Sequence, residues 1–268
     1  MADPHDLLPV AVEAARAAGA LLLEGRQQAA DQSGAETKTS GTDMVTDMDR
    51  ASEALLARTL LDARPGDAFL GEEGTAGVGT TGVRWVVDPL DGTTNYLYGF
   101  PAWAVSVAGE VDGQVAVGVV YDPSHDEMFT AVRGGGARCN QRPLHVEGPA
   151  ELETALLATG FSYDPASRGL QAAELAQLLP SVRDVRRAGA AALDLCWVAL
   201  GRVDLYFERG IQPWDWAAGS LVATEAGAVV TDLGEGTVVA APPQLHGSFL
   251  SLLEAARARV RAEQSGKH

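Results

Sequence analysis

Apolar residues recur at helical spacing through Leu7, Val10, Ala14, Ala17 and Leu21, which predicts a long amphipathic helix over residues 6–31. The polar, glycine-containing run from 32 to 43 predicts a loop. A second helix is expected to start at Thr46, to carry Ala51, Leu55, Leu56 and Leu60, and to end by Pro65. Short strands follow at 68–71 and 84–88. Alternation through Val105, Val107, Val115, Val117, Val119, Met128, Thr130 and Val132 then predicts an antiparallel meander over 102–132, with turns at Asp112-Gly113 and Asp122-Pro123. The remainder alternates strand and helix. Strands are expected at 154–160, 183–187, 203–208, 228–232 and 237–240, and helices at 167–179, 190–200, 214–226 and 246–263. The change near 147–153 marks a boundary between an N-terminal α+β part (1–150) and a C-terminal α/β part (151–268).

One stretch breaks this regular pattern. Trp85-Val86-Val87 has strand character and runs into Asp88-Pro89-Leu90-Asp91-Gly92-Thr93-Thr94-Asn95. Pro89 is expected to stop the strand, because it offers no N–H to a ladder. Asp91-Gly92 supplies the bend, and Thr93 or Thr94 is positioned to cap a following helix. Two carboxylates beside free helix N–H groups suit a hard cation and a phosphate together. That combination suggests metal-assisted phosphate chemistry.

Bulk properties narrow the field. The 268 residues carry a formal net charge of −16 and a pI near 4.6, which argues against a nucleic-acid or anionic-membrane surface. The same charge repels an anionic substrate unless cations intervene. Cys139 and Cys196 are far apart, so no disulfide framework is indicated, and Cys139 in its glycine-rich context reads as a turn residue. No basic leader or membrane-length apolar run appears, and the chain reads as cytoplasmic.

Glu72, Glu73, Asp88, Asp91 and Asp215 fall at expected element ends. Converging anions raise one another's pKa unless a cation neutralises them, and all-oxygen donors favour Mg²⁺ over zinc. Taken singly, each of these acids reads more simply as solvated surface; Asp88 and Asp91 in one turn do not. Asp49 has a structural reading as the acid of a capping box begun by Thr46. Asp215 has one as a first-turn helix acid. Gly77-Val78-Gly79-Thr80-Thr81-Gly82 matches a dinucleotide fingerprint by letters, but it precedes a strand instead of following one, so a flexible connector is expected there.

Together these motifs resemble the inositol monophosphatase family. Asp88–Asn95 matches its signature D-P-[IL]-D-G-T-x-N, with Tyr96 where phenylalanine is commoner. The likeness extends to Lys38, the 43–49 segment, Gly71-Glu72-Glu73, Phe100-Pro101, 118–121 and 189–219, nearly the whole chain. The resemblance implies a layered α-β-α-β-α sandwich of the inositol monophosphatase and fructose-1,6-bisphosphatase type, a homodimer, two or three Mg²⁺ ions and lithium sensitivity.

Carried over by residue, it implies that Glu72, Asp88 and the Leu90 carbonyl hold one ion, and Asp88, Asp91 and Asp215 a second. A third, weaker ion would sit near Glu72. Gly92 and Thr93 would bind phosphate, while Thr93 and Asp49 would orient and deprotonate the attacking water. Glu73 and Lys38 would stand behind the ligands. Gly189, Ala190, Ala191 and Glu208 would choose the substrate, Glu208 by bonding a ring hydroxyl. Without the resemblance, Glu208 reads as an exposed strand-end acid. The implied reaction is hydrolysis of myo-inositol 1-phosphate by in-line attack of activated water. Histidinol phosphate, or another sugar or nucleotide phosphate, is the alternative on the same scaffold.

Overall fold

The computed structural model describes residues 2–32 and 41–265. Helices α1 (Pro4–Gln32) and α2 (Gly41–Ala63) pack side by side. The expected loop at 32–43 falls mostly on 33–40, outside the described residues, and 41–43 are helical. Starting at Gly41 instead of Thr46, α2 carries Asp49 in its interior, which overturns the capping-box reading. That motif needs a non-helical Thr46, and nothing between Gly41 and Asp49 breaks a helix.

The first sheet follows. Its strands are β1 (Ala68–Gly71), β2 (Ala76–Gly77), β3 (Val83–Asp91), β4 (Ala104–Val111), β5 (Gln114–Asp122), β6 (Glu127–Val132), β7 (Gly136–Cys139) and β8 (Arg142–Pro143), in the order β2-β1-β3-β4-β5-β6-β7-β8. Within this sheet, among the described residues, only β1 and β3 run parallel. Two expectations change here. Cys139 is a buried residue of strand β7, not a turn residue, and Gly77 pairs with Phe69, so the glycine-rich connector is pinned at one end.

After β3 come α3 (Thr93–Tyr98) and, beyond residue 150, β9 (Leu156–Thr159), α4 (Pro165–Leu178), β10 (Asp184–Arg186) and α5 (Ala191–Leu200). β11 (Leu205–Glu208), α6 (Pro213–Glu225), β12 (Val229–Asp232), β13 (Val238–Ala241) and α7 (Pro243–Ser265) complete the chain. The second sheet has the order β10-β9-β11-β13-β12.

Period-2 alternation divides the core. On β3 and β4, Trp85, Val87, Val105 and Val107 face the α1–α2 layer, while Val86, Ala104 and Ala108 face α5 and α6. The far side of that helix pair meets the second sheet through Leu195, Val198 and Tyr206, and α7 covers the outer face through Phe249 and Leu253. The layers are therefore α-β-α-β-α. Because α5 lies between two sheets, its sequence is apolar nearly all round, as a fully buried helix requires.

The middle layer is tight enough to demand glycine. A Cβ on Gly118 of β5 would lie 2.7 Å from the Ala218 carbonyl of α6, and one on Gly219 would lie 2.9 Å from the Ala192 carbonyl of α5. Gly247 in α7 has open space around it. Gly219→Ala is therefore expected to lower stability by about 1–3 kcal/mol through overpacking. Gly247→Ala should raise it by up to about 1 kcal/mol from helix propensity. Urea unfolding of both variants checks this, and a Gly219→Ala variant as stable as the parent contradicts the close α5–α6 contact.

Candidate active site

The turn after β3 is a bulge rather than a stop. Asp88 pairs with Ser106 and Asp91 with Ala104, so β3 spends three steps where β4 spends two. Pro89 sits inside that irregularity, where its missing N–H leaves no ladder bond unmade. Its carbonyl accepts from the buried Ser52 hydroxyl at 2.9 Å, fastening the turn to α2. Asp88 Oδ1 accepts from the Leu90 N–H at 2.9 Å. Gly92 precedes α3 with φ 88°, and a Cβ there would meet the Ala102 carbonyl at 2.8 Å. The expected threonine cap is not made. Thr93 is already helical, and its hydroxyl donates to the Leu90 carbonyl at 3.0 Å. Tyr96 uses the hydroxyl that phenylalanine lacks to reach the Leu22 carbonyl at 2.7 Å.

Distant elements lock onto this turn. Asp91 Oδ1 accepts the Ala191 N–H (3.2 Å) and Oδ2 the Ala192 N–H (2.7 Å), so one carboxylate caps α5 from across the chain. Asn95 Nδ2 donates to the carbonyls of Ala102 (2.6 Å) and Ala188 (2.8 Å). Asp215, in the first turn of α6, accepts the Gln212 N–H at 2.6 Å, as its expected helix-start role requires.

Glu72 is held indirectly. The buried Glu53 accepts the N–H groups of Glu73 (2.7 Å) and Thr75 (3.0 Å), and Gly71 passes so close that a Cβ would lie 2.2 Å from its carboxylate. Glu73 turns toward Arg50, at 3.8 Å.

These elements enclose a cavity of about 300 Å³. Glu72, Asp88, Leu90, Asp91, Gly92, Thr93, Gly189, Ala191, Glu208 and Asp215 all line it. Glu73 and Asp49 do not. Asp49 is buried on α2, and Lys38 lies outside the described residues. Sequence reasoning missed Glu53, Phe161, Tyr163 and Arg187, of which the last three line the cavity, as does Trp214 beside Asp215. It missed Asp194 too, a fully buried acid on α5 with neither oxygen hydrogen-bonded among the described residues, which burial and then Glu208 and Asp91 push well above the usual range.

The cavity is electrostatically strained. Burial, then Glu72, Asp91 and Asp215, hold Asp88 well above the carboxylate range. Burial and Asp215 do the same to Asp91, opposed by the Ala192 N–H. Burial pushes Asp215 up to about 6, against the Gln212 N–H. Glu72 is carried to about 7, chiefly by desolvation of its carboxylate, although the residue as a whole is exposed. Asp49 reaches about 8 through burial, then Glu73, Glu72 and Glu53.

Among the described residues no three His, Cys, Asp or Glu side chains form a ready-made metal cage. Instead Glu72, Asp88, Asp91 and Asp215 raise one another's pKa through like charge. A partly buried, all-oxygen, mutually repelling donor set of this kind fits a hard divalent cation.

The profile described as the inositol monophosphatase family matches residues 3–264. The chain belongs to the inositol monophosphatase family. It is thereby a phosphoric monoester hydrolase. Inositol-1-monophosphatase SuhB of Mycobacterium tuberculosis is 46% identical over 246 residues, covering 86% of this chain and 85% of its own. A relative named Nus factor SuhB, from Pasteurella multocida, is 41% identical over 259 residues, covering 93% and 96%. The solved structure of Mycobacterium tuberculosis SuhB aligns with a TM-score of 0.85 at 42% identity, over 96% of this chain and 98% of that one. Among the described residues no helix is long and apolar enough to cross a membrane.

A pH dependence follows from the raised carboxylates. In the unfolded chain these groups ionise near their usual values of about 4. Between there and about 8 the folded, metal-free protein binds more protons than the unfolded chain, so their contribution to stability falls as pH rises. Thermal melting of metal-free protein is expected to drop between about pH 5 and 8, and millimolar Mg²⁺ should flatten that slope. A melting temperature that rises steadily across the window without metal contradicts the assignment.

Proposed function

We propose that this protein is a magnesium-dependent phosphatase that hydrolyses a polyol phosphate, myo-inositol 1-phosphate first, to the free polyol and inorganic phosphate. The observation that carries this reading is Glu208, which lines the same cavity as the four carboxylates from the end of β11. Its carboxylate accepts from the Tyr206 hydroxyl at 3.1 Å and lies over Gly160, where a Cβ would be 2.0 Å from Oε1. Burial pushes Glu208 up to about 7, while the Tyr206 hydroxyl and Arg187 pull it back. A carboxylate held in place at the alcohol end suits a hydroxylated leaving group.

In this reading Glu72, Asp88 and the Leu90 carbonyl would hold one Mg²⁺, and Asp88, Asp91 and Asp215 a second, with a weaker third near Glu72. When bound, the ions lower the pKa of water and stabilise the departing alkoxide. The chain's own residues do the rest. The N–H groups of Gly92 and Thr93 hold phosphate oxygens as α3 begins. The Thr93 hydroxyl orients the attacking water, and Asp49 takes its proton, relayed because Asp49 stands behind the cavity wall. Asp49, raised to about 8 by burial and then by Glu73, Glu72 and Glu53, would ionise more readily once cations offset those neighbouring acids.

The parts before and after residue 150 divide the labour. The first supplies most metal and phosphate contacts, and the second supplies Asp215 and the alcohol contacts. Family membership also supports lithium sensitivity, a homodimer and a cytoplasmic setting. Histidinol phosphate is the weaker substrate reading, because the Arg187 guanidinium lining the alcohol side disfavours an ammonium group.

Phosphate release from myo-inositol 1-phosphate is expected to need Mg²⁺ and to fall on adding Li⁺. Asp88→Asn should cost about a thousandfold in kcat, equivalent to about 4 kcal/mol. Undiminished release in chelator, or an unaffected Asp88→Asn variant, would sink the proposal. Release from histidinol phosphate alone would move it to the sibling substrate.

A further inference from the structure

The alcohol end of the cavity contains a cation that the reaction as described does not use. Two arginines line the wall, and Arg209 is ion-paired with Glu174. Arg187 is exposed and makes no ion pair or hydrogen bond among the described residues. Its guanidinium lies across the next loop: Gly189 has φ 88°, and a Cβ on it would fall 2.1 Å from Arg187 Nη1. A substrate approaching Gly189 therefore meets the guanidinium first. The loop itself is fixed, because Asn95 of the phosphate turn donates to the Ala188 carbonyl at 2.8 Å. Arg187 is also near enough to pull down the carboxyls of Glu208 and Asp194.

We propose that Arg187 and Glu208 form a donor–acceptor pair that reads two adjacent hydroxyls on the substrate's alcohol. A hydroxyl can both give and accept a hydrogen bond, a carboxylate only accepts, and a guanidinium only donates. Glu208 accepts a hydrogen bond from one hydroxyl and Arg187 donates one to the oxygen of its neighbour. A vicinal diol satisfies both groups, a lone hydroxyl only one, and an ammonium alcohol is opposed by Arg187. The selected class is a phosphate monoester of a vicinal polyol. This rests on reading the cavity as the phosphatase site, and Arg187 is the specificity-determining residue it adds.

The test compares kcat/KM for a glycerol phosphate with both adjacent hydroxyls free and for propyl phosphate, which has none, using the full chain with Mg²⁺. The parent protein is expected to prefer the diol by about tenfold or more, the scale of a hydrogen bond to a charged group. Arg187→Ala should cut that preference by about tenfold, and Arg187→Lys should keep part of it. A parent without diol preference, or an Arg187→Ala variant with the parent's preference, overturns the inference. Myo-inositol 1-phosphate is assayed alongside. If it is not hydrolysed while the Arg187-dependent diol preference persists, the inositol reading falls and this pair stands. No turnover of any of the three overturns both.

Discussion

A carboxylate taken out of water must be protonated, paired or supplied with hydrogen-bond donors, and this fold brings four of them to one cavity. Glu72, Asp88, Asp91 and Asp215 arrive from β1's end, from the β3 bulge and from the start of α6. Backbone N–H groups meet part of the cost: Leu90 on Asp88, Ala191 and Ala192 on Asp91, Gln212 on Asp215. Two of these acids face the N-terminal ends of α5 and α6, where the helix dipoles favour negative charge. The remaining repulsion is what a cation would relieve.

That constraint explains the middle layer. α5 and α6 have to bring their first turns to the mouth of the bulge, so they pack closely at Gly219 and against β5 at Gly118. Asp91 links the two sheets' territories by capping α5, and Asn95 ties the same turn to the loop before that helix. The turn at 88–95 and the loop before α5 are thus held at a set distance on one wall of the cavity. Shared use of α5 and α6 by both sheets also means that neither half of the chain closes its core alone.

Much of this was legible from residue order, because it depends on local pattern. The alternation in 102–132 and the apolar run of 190–200 place strands and a buried helix directly. Asp88–Asn95 marks the turn, and Glu72 and Asp215 stand at element ends that β1 and α6 do bring to the same cavity. What escaped was non-local. Glu53 is one more acid on a helix until the turn at 73–75 folds onto it, and no spacing announces Asp91 as the cap of a helix a hundred residues away. Arg187 reads as a surface arginine until Gly189 gives it room to lie over the cavity. The mistaken cap at Asp49 shows the opposite failure, in which a correct local signature loses to a helix that begins earlier.

The most direct measurement is calorimetric titration of Mg²⁺ into metal-free protein near neutral pH, repeated in buffers of different ionisation enthalpy. Binding should release protons, because carboxylates raised to about 6 and 7 must give up the protons they hold near neutral pH to ligate the ion. The expected result is saturable binding with heat that varies between buffers, in proportion to protons lost. Absence of binding, or binding whose heat is the same in every buffer, would contradict a cation site built from these four carboxylates.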